Sequence, residues 1–175
     1  MKNDKFIKPL ILFYSFTGNT QYIAQMIQEE IGGDLAQIET IKPYTGTDDS
    51  IDEKTKHEVN SGFMPEIKPI HKDISAYNTI LIGTPVWWFS FPPAVRTFLS
   101  DNALKGKMVY PFITNGGSVG QTFQNIKDLC PKAMVKSSLS ILFNGRKLCI
   151  PKIEIINWVK KISSLYNIDG GGYIR

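Results

Sequence analysis

A chain of 175 residues with 42% hydrophobic and 21% charged side chains is long enough for one domain with a sizeable core. That composition excludes a disordered or fibrous chain. Two cysteines, Cys130 and Cys149, are too few for a disulfide framework; they point to a reducing cytosol and to small apolar filler. The net charge of +4 is uneven: residues 1–101 hold 9 basic and 13 acidic side chains, residues 102–175 hold 11 and 3. A basic half suits an anionic partner, but these lysines are scattered, the pattern of a solvated surface.

Lys2, Lys5 and Lys8 precede an apolar run at residues 10–14 that is too short to span a membrane and has no small-residue cleavage site after it. No other apolar stretch approaches spanning length, so the expectation is an unprocessed cytoplasmic protein. Residues 10–14 read as a buried strand. Ile23, Met26, Ile27 and Ile31 follow at helical spacing, ended by Gly32-Gly33. Residues 35–41 make a second strand. The connection 42–74 is long for a structureless loop; Ser50 with Glu53 forms a capping box, and Ile51, Thr55 and Val59 follow at four-residue spacing, predicting a short polar helix near 51–60.

Strands three, four and five fall at 79–82, 108–113 and 139–143, with helices near 92–101, 119–130 and 152–164. Pro93 and Pro151 suit first turns and Pro131 stops the helix before it. Pro111 lies inside strand four and predicts a local irregularity, because it removes a ladder donor. Gly170-Gly171-Gly172 reads as part of a loose C-terminus. Continuous apolar strands imply burial on both faces. Five of them alternating with helices predict a single α/β domain over 1–175: a doubly wound parallel sheet with helices on both faces.

In such a sheet ligands collect at the carboxyl ends of the strands. The first end is Ser15-Phe16-Thr17-Gly18-Asn19-Thr20, with three hydroxyls, an amide and a glycine before a helix, and no charged residue from Pro9 through Gln28. Backbone N–H groups, hydroxyls and the helix dipole bind phosphate without a lysine. The spacing matches neither Gly-x-x-x-x-Gly-Lys-Ser/Thr nor Gly-x-Gly-x-x-Gly, which argues against ATP or GTP hydrolysis and against Rossmann-type NAD binding. From this loop alone, phosphate binding and a plain N-cap turn through Thr17 or Asn19 both remain open.

The second end, Gly83-Thr84-Pro85-Val86-Trp87-Trp88-Phe89-Ser90-Phe91, crowds four aromatics into five positions. They either roof the core or present a stacking surface; adjacent tryptophans in a loop diverge, so the two are not expected both to be buried, and an exposed one is a stacking surface for a flat ring. The third end, Thr114-Asn115-Gly116-Gly117-Ser118-Val119-Gly120, lets backbone approach a ligand edge, or is a turn capping the next helix through Ser118. Together the three ends outline one phosphate, one flat ring and ring-edge hydrogen bonding, which is the outline of FMN.

These loops also carry a family resemblance. The segment from Ser15 to Thr20 resembles the flavodoxin phosphate loop, Ser/Thr-x-Thr-Gly-Asn-Thr, and the other two resemble the ring loops of small bacterial flavodoxin-like proteins. The likeness runs from about Pro9 to Ile162 and implies strand order 2-1-3-4-5. It implies that Ser15, Phe16, Thr17, Gly18, Asn19 and Thr20 form the phosphate site. It further implies that Pro85, Val86, Trp87 and Trp88 flank the ring, and that Thr114, Asn115, Gly116, Gly117, Ser118 and Gly120 meet its pyrimidine edge.

Three departures stand out. The chain is basic where carrier flavodoxins are strongly acidic; Phe89 replaces the glycine that often follows the tryptophan; and no aromatic lies between Thr114 and Gly120 to cover the second ring face. Two functions share the FMN chemistry: a flavodoxin-type electron carrier with a protein redox partner, and an FMN-dependent NAD(P)H:quinone-type oxidoreductase, toward which the departures lean. Neither needs a protein acid or base, and no catalytic residue or metal ligand is assigned. A receiver-type signalling domain would need clustered carboxylates that the first, third and fourth strand ends lack. A nucleic-acid module lacks a motif, and no membrane contact is expected. His57 and His71 stand without a nucleophile or ligand cluster and read as surface residues. A monomer and a homodimer remain equally open.

Overall fold

The computed structural model describes residues 8–45, 48–101 and 104–169. The glycine run 170–172 and the side chains of Ser50 and Ile51 lie outside that description. Among the described residues seven strands form one sheet: β1 (Leu10–Phe13), β2 (Asp34–Gln37), β3 (Thr79–Pro85), β4 (Met108–Asn115), β5 (Met134–Val135), β6 (Leu139–Asn144) and β7 (Lys147–Leu148). Among the described residues five α-helices accompany them: α1 (Asn19–Ile31), α2 (Asp48–Ser61), α3 (Pro93–Ser100), α4 (Thr122–Leu129) and α5 (Lys152–Asp169). No described helix is long and apolar enough to cross a membrane.

The order is β2-β1-β3-β4-β6-β7, with β5 also on β4. All pairs are parallel except β6 with β7. Counting β5 and β6 as two pieces of one strand recovers the expected order 2-1-3-4-5. The break has a local cause. Lys107 O accepts from Met134 N and Val109 O from Lys136 N, so alternate residues of β4, Pro111 among them, turn their polar groups toward this neighbour. Pro111 has no N–H to give there. Pairing stops after Val109↔Val135 and resumes at Phe112↔Leu139, so three steps along β4 are matched by four along the other chain. On the β3 side the ladder runs unbroken through Ile82↔Pro111.

Period-two alternation sorts the core into two layers. Leu10, Leu12, Ile80, Ile82, Val109 and Ile113 pack under α3 and α4 with Val95, Phe98 and Ile126. Ile11, Phe13, Leu81, Tyr110 and Phe112 face α1 and α5 with Ile23, Ile27, Trp158 and Val159. Strands β1 and β3 are buried on both faces, as their apolar runs require. Strand β6 departs from the expectation of double burial: Ile141 and Phe143 are buried, while Ser140 and Leu142 on the other face are exposed. It lies near the sheet edge, where one covered face suffices.

Helix α2 exists and is longer than expected, beginning two residues before Ser50. It is polar, yet it buries Thr55 and Val59. Helix α4 starts at Thr122 rather than 119; Ser118 Oγ accepts from Gly120 N instead of capping it.

Gly83 in β3 is fixed by packing. A Cβ there would lie 2.2 Å from Phe112 Cζ and 2.3 Å from Cε2, and Phe112 is fully buried. Gly83→Ala is expected to lower stability by about 1–3 kcal/mol, read as a lower urea midpoint. An unchanged midpoint would contradict this packing.

Candidate functional site

Because β1, β3 and β4 are parallel neighbours, their carboxyl ends share one edge, and the loops that follow them converge there. Tyr14 N donates to Gly83 O (3.0 Å) and Val86 N to Thr114 O (3.0 Å). The hydroxyls of Thr20 and Thr114 bond at 2.8 Å, and both residues are buried. Gln121 N donates to Phe89 O at 2.7 Å. Loops from opposite ends of the sequence are therefore stitched into one surface.

Loop one, residues 15–20, turns at Gly18, whose φ of 96° is left-handed and which acts as the N-cap of α1 without a side-chain cap bond. Neither Thr17 nor Asn19 caps the helix. Ser15 Oγ instead accepts from Gln21 N at 3.2 Å. The backbone N–H groups of Thr17, Gly18, Asn19 and Thr20 meet no acceptor among the described residues. They sit at a helix N-terminus, where the dipole adds partial positive charge. The Thr17 side chain is exposed.

Two expected side-chain roles change. The Asn19 amide donates to Gly145 O at 2.8 Å, so it anchors a neighbouring turn, and the Thr20 hydroxyl faces inward to Thr114. Their backbone N–H groups are what they offer at this edge.

Loop two forms a tight turn, with Trp87 N to Ser90 O at 3.0 Å and Ser90 N to Trp87 O at 2.9 Å. Both central residues are left-handed without being glycine: Trp88 at φ 51° and Phe89 at φ 61°. This is the hairpin turn that asparagine and glycine usually make, and bulky residues hold it only when their surroundings fix it. Here Thr122 Oγ1 and Asn125 Nδ2 bond Ser90 O and Ser90 Oγ at 3.0 and 2.8 Å. Gly120, at φ 51°, packs so tightly that a Cβ would fall 2.4 Å from Phe89 O.

Neither tryptophan is fully buried, as expected of a diverging pair, and neither is fully exposed. Trp87 is half-buried in a box of edge-on rings from Tyr14, Phe16 and Tyr44, with centroids at 5.8, 5.6 and 5.2 Å. Burial pushes both phenols up, and Glu58 raises Tyr44 further by accepting its hydroxyl proton at 2.6 Å, so the box is uncharged. Trp88 is half-buried against α2 and donates its indole N–H to Thr55 Oγ1 at 3.0 Å. The exposed aromatic is Phe89, at 64%. Pro85 and Val86 are half-buried beside them.

In loop three Thr114 and Asn115 are structural: the Asn115 amide donates to Ser140 Oγ at 2.9 Å and its carbonyl accepts Gly117 N at 3.0 Å. Gly116 and Gly117 are exposed and border open space; Asn115 already holds the Gly117 N–H, so the donor this pair leaves free for a ligand edge, among the described residues, is the Gly116 N–H. Gly120 instead supports loop two.

Sequence reading missed Arg146. Its Nη2 donates to Thr17 O at 2.7 Å from the β6–β7 turn, 129 positions away. No local pattern signals such a contact.

A family model described as "Flavodoxin" matches residues 8–162. Flavodoxin 1 of Escherichia coli (strain K12) is 30% identical over 79 residues, 45% of this chain; the match spans 31% of that relative, about a third of its length. A Bacteroides eggerthii protein classed as a flavoprotein has a structure similar to this one at TM-score 0.75, with 30% identity, over 89% of this chain and 98% of the other. A Lactobacillus acidophilus flavoprotein, solved in complex with FMN, matches at TM-score 0.68 with 24% identity, over 76% of this chain and 92% of the other.

Gly120→Ala is expected to destabilise by about 1–3 kcal/mol, through the clash at Phe89 and the left-handed φ, with a shift in tryptophan fluorescence as the turn loosens. A wild-type midpoint and spectrum would contradict the role given to Gly120. The family model covers most of the chain, and the strand order and three converging loops agree with it: this protein belongs to the flavodoxin family.

Proposed function

We propose that this protein binds FMN across the three loops and serves as a flavodoxin-type electron carrier to a protein partner. The observation that carries the reading is the row of backbone N–H groups from Thr17 to Thr20, at the N-terminus of α1, which meet no acceptor among the described residues. The edge holding them is where strand order reverses between β1 and β3, the position that ligands take in open α/β sheets, flavodoxin itself being a standard example.

The residues present fit the group. A phosphate dianion takes up to four backbone donors, the Thr17 hydroxyl and the Ser15 hydroxyl proton, each charge-assisted bond contributing about 1.5–3 kcal/mol. The boxed Trp87 and the tethered Trp88 hold the loop-two backbone in one shape, Phe89 offers an open apolar face, and the exposed Gly116 leaves its N–H free for a polar ring edge. FMN, when bound, supplies the electron transfer itself. The protein's part is to hold, orient and desolvate it.

Relatives add support: one flavoprotein of this fold was solved with FMN, and the curated relatives are named flavodoxins. In this reading the partner is a redox protein rather than nucleic acid or a membrane. Reduction of the loaded protein by dithionite in two resolved one-electron steps, without NAD(P)H–quinone turnover, is the result expected of a carrier. A single two-electron step with sustained NAD(P)H–quinone turnover would overturn it in favour of an oxidoreductase.

Thr17→Ala is expected to weaken FMN binding about 10-fold and to leave riboflavin, which lacks the phosphate, unchanged. Fluorescence titration of the apoprotein with both flavins reads this. Equal losses for the two would remove the phosphate from loop one.

A further inference from the structure

The β6–β7 turn is not a neutral bystander of loop one. Pairs Phe143↔Leu148 and Asn144↔Lys147 leave Gly145 and Arg146 as a two-residue connection, and Gly145 at φ 57° supplies its first central position. Phe143 is buried against α1 and α5, and Leu148 packs on the same cluster, so the turn is held in place by the core. From there two bonds reach loop one: Asn19 Nδ2 to Gly145 O at 2.8 Å and Arg146 Nη2 to Thr17 O at 2.7 Å. The guanidinium lies so close that a Cβ on Gly18 would fall 2.9 Å from Nη2.

We propose that the β6–β7 turn is a working part of the phosphate site and that Arg146 is its positioning residue, aiming the Gly18 N–H and adding a cation beside a phosphomonoester. This rests on loop one being the phosphate site. In a trans peptide the C=O and the following N–H point in opposite directions. Arg146 draws the Thr17 carbonyl toward the turn, and the Gly18 N–H therefore points away from it, into the loop. Apart from this bond the guanidinium has no partner among the described residues, so its other N–H groups stay available to an anion.

The charge matters because loop one has none of its own. From Pro9 through Gln28 no side chain is charged, and the helix end contributes only about half an elementary charge toward a dianion. Arg146 is exposed, so its electrostatic share is screened by salt while its hold on Thr17 is not.

The test compares apoprotein of wild type, Arg146→Ala and Arg146→Lys in titrations with FMN and with riboflavin, at low and high salt. Arg146→Ala is expected to bind FMN about 10-fold more weakly at low salt, with the deficit shrinking but persisting at high salt, and riboflavin as wild type does. Arg146→Lys is expected to recover the salt-sensitive part only. Because the residue is exposed on a turn, thermal melts of both variants should match wild type. A wild-type preference for FMN that survives Arg146→Ala unchanged overturns the assignment of Arg146 alone. A wild-type chain that binds riboflavin as tightly as FMN overturns it together with the phosphate site beneath it.

Discussion

The backbone N–H groups of Thr17, Gly18, Asn19 and Thr20 at the start of α1 have no acceptor among the described residues, and the rest of the site is organised around them. A helix cannot satisfy its own first donors. Most chains cap them with a side chain, but here the cap position is Gly18, which has none. The turn is instead stiffened from outside. Ser15 ties back to Gln21, Thr20 is bolted to Thr114, and the β6–β7 turn grips Thr17 and Asn19. The donors are thus held open in a fixed arrangement, which lowers the ordering cost of binding.

The same logic extends across the sheet edge. Loop two adopts a left-handed pair at Trp88 and Phe89 that no sequence preference favours, and it holds because Ser90 is gripped from α4, Trp88 from α2, and Phe89 O by Gln121 N. Strain at such a turn costs of the order of 1–3 kcal/mol per residue and persists where the surroundings over-determine it. An exposed phenylalanine at its tip is what this conformation provides to whatever docks there.

Much of this was legible in the sequence. The all-apolar runs of β1 and β3 announced a sheet covered on both sides, the four-residue spacing of Ile51, Thr55 and Val59 found α2 although Ser50 lies inside it rather than at its cap, and Pro111 marked where the ladder to the fifth strand would fail. The three loops of the candidate site were legible because parallel strands must place their carboxyl ends together. What escaped was non-local or against the grain of local preference. Arg146 meets Thr17 across 129 positions, through a turn whose register no pattern reveals. The two tryptophans diverge as their adjacency implies, but the partners that half-cover each, a ring of Tyr14, Phe16 and Tyr44 for Trp87 and Thr55 of α2 for Trp88, come from distant positions that no local pattern shows. Strand β6 read as doubly buried because exposed Leu142 is as apolar as its buried neighbours.

The claim that backbone donors of loop one hold a phosphate dianion is tested most directly by the phosphorus NMR signal of bound FMN. A free phosphomonoester takes up its proton with a pKa of about 6, so its resonance moves between about pH 5 and pH 8. Donors that prefer the dianion lower that pKa. The account predicts a bound resonance that stays at its dianion position throughout this range. A bound resonance that titrates as free FMN does would place the phosphate in solvent and contradict the account.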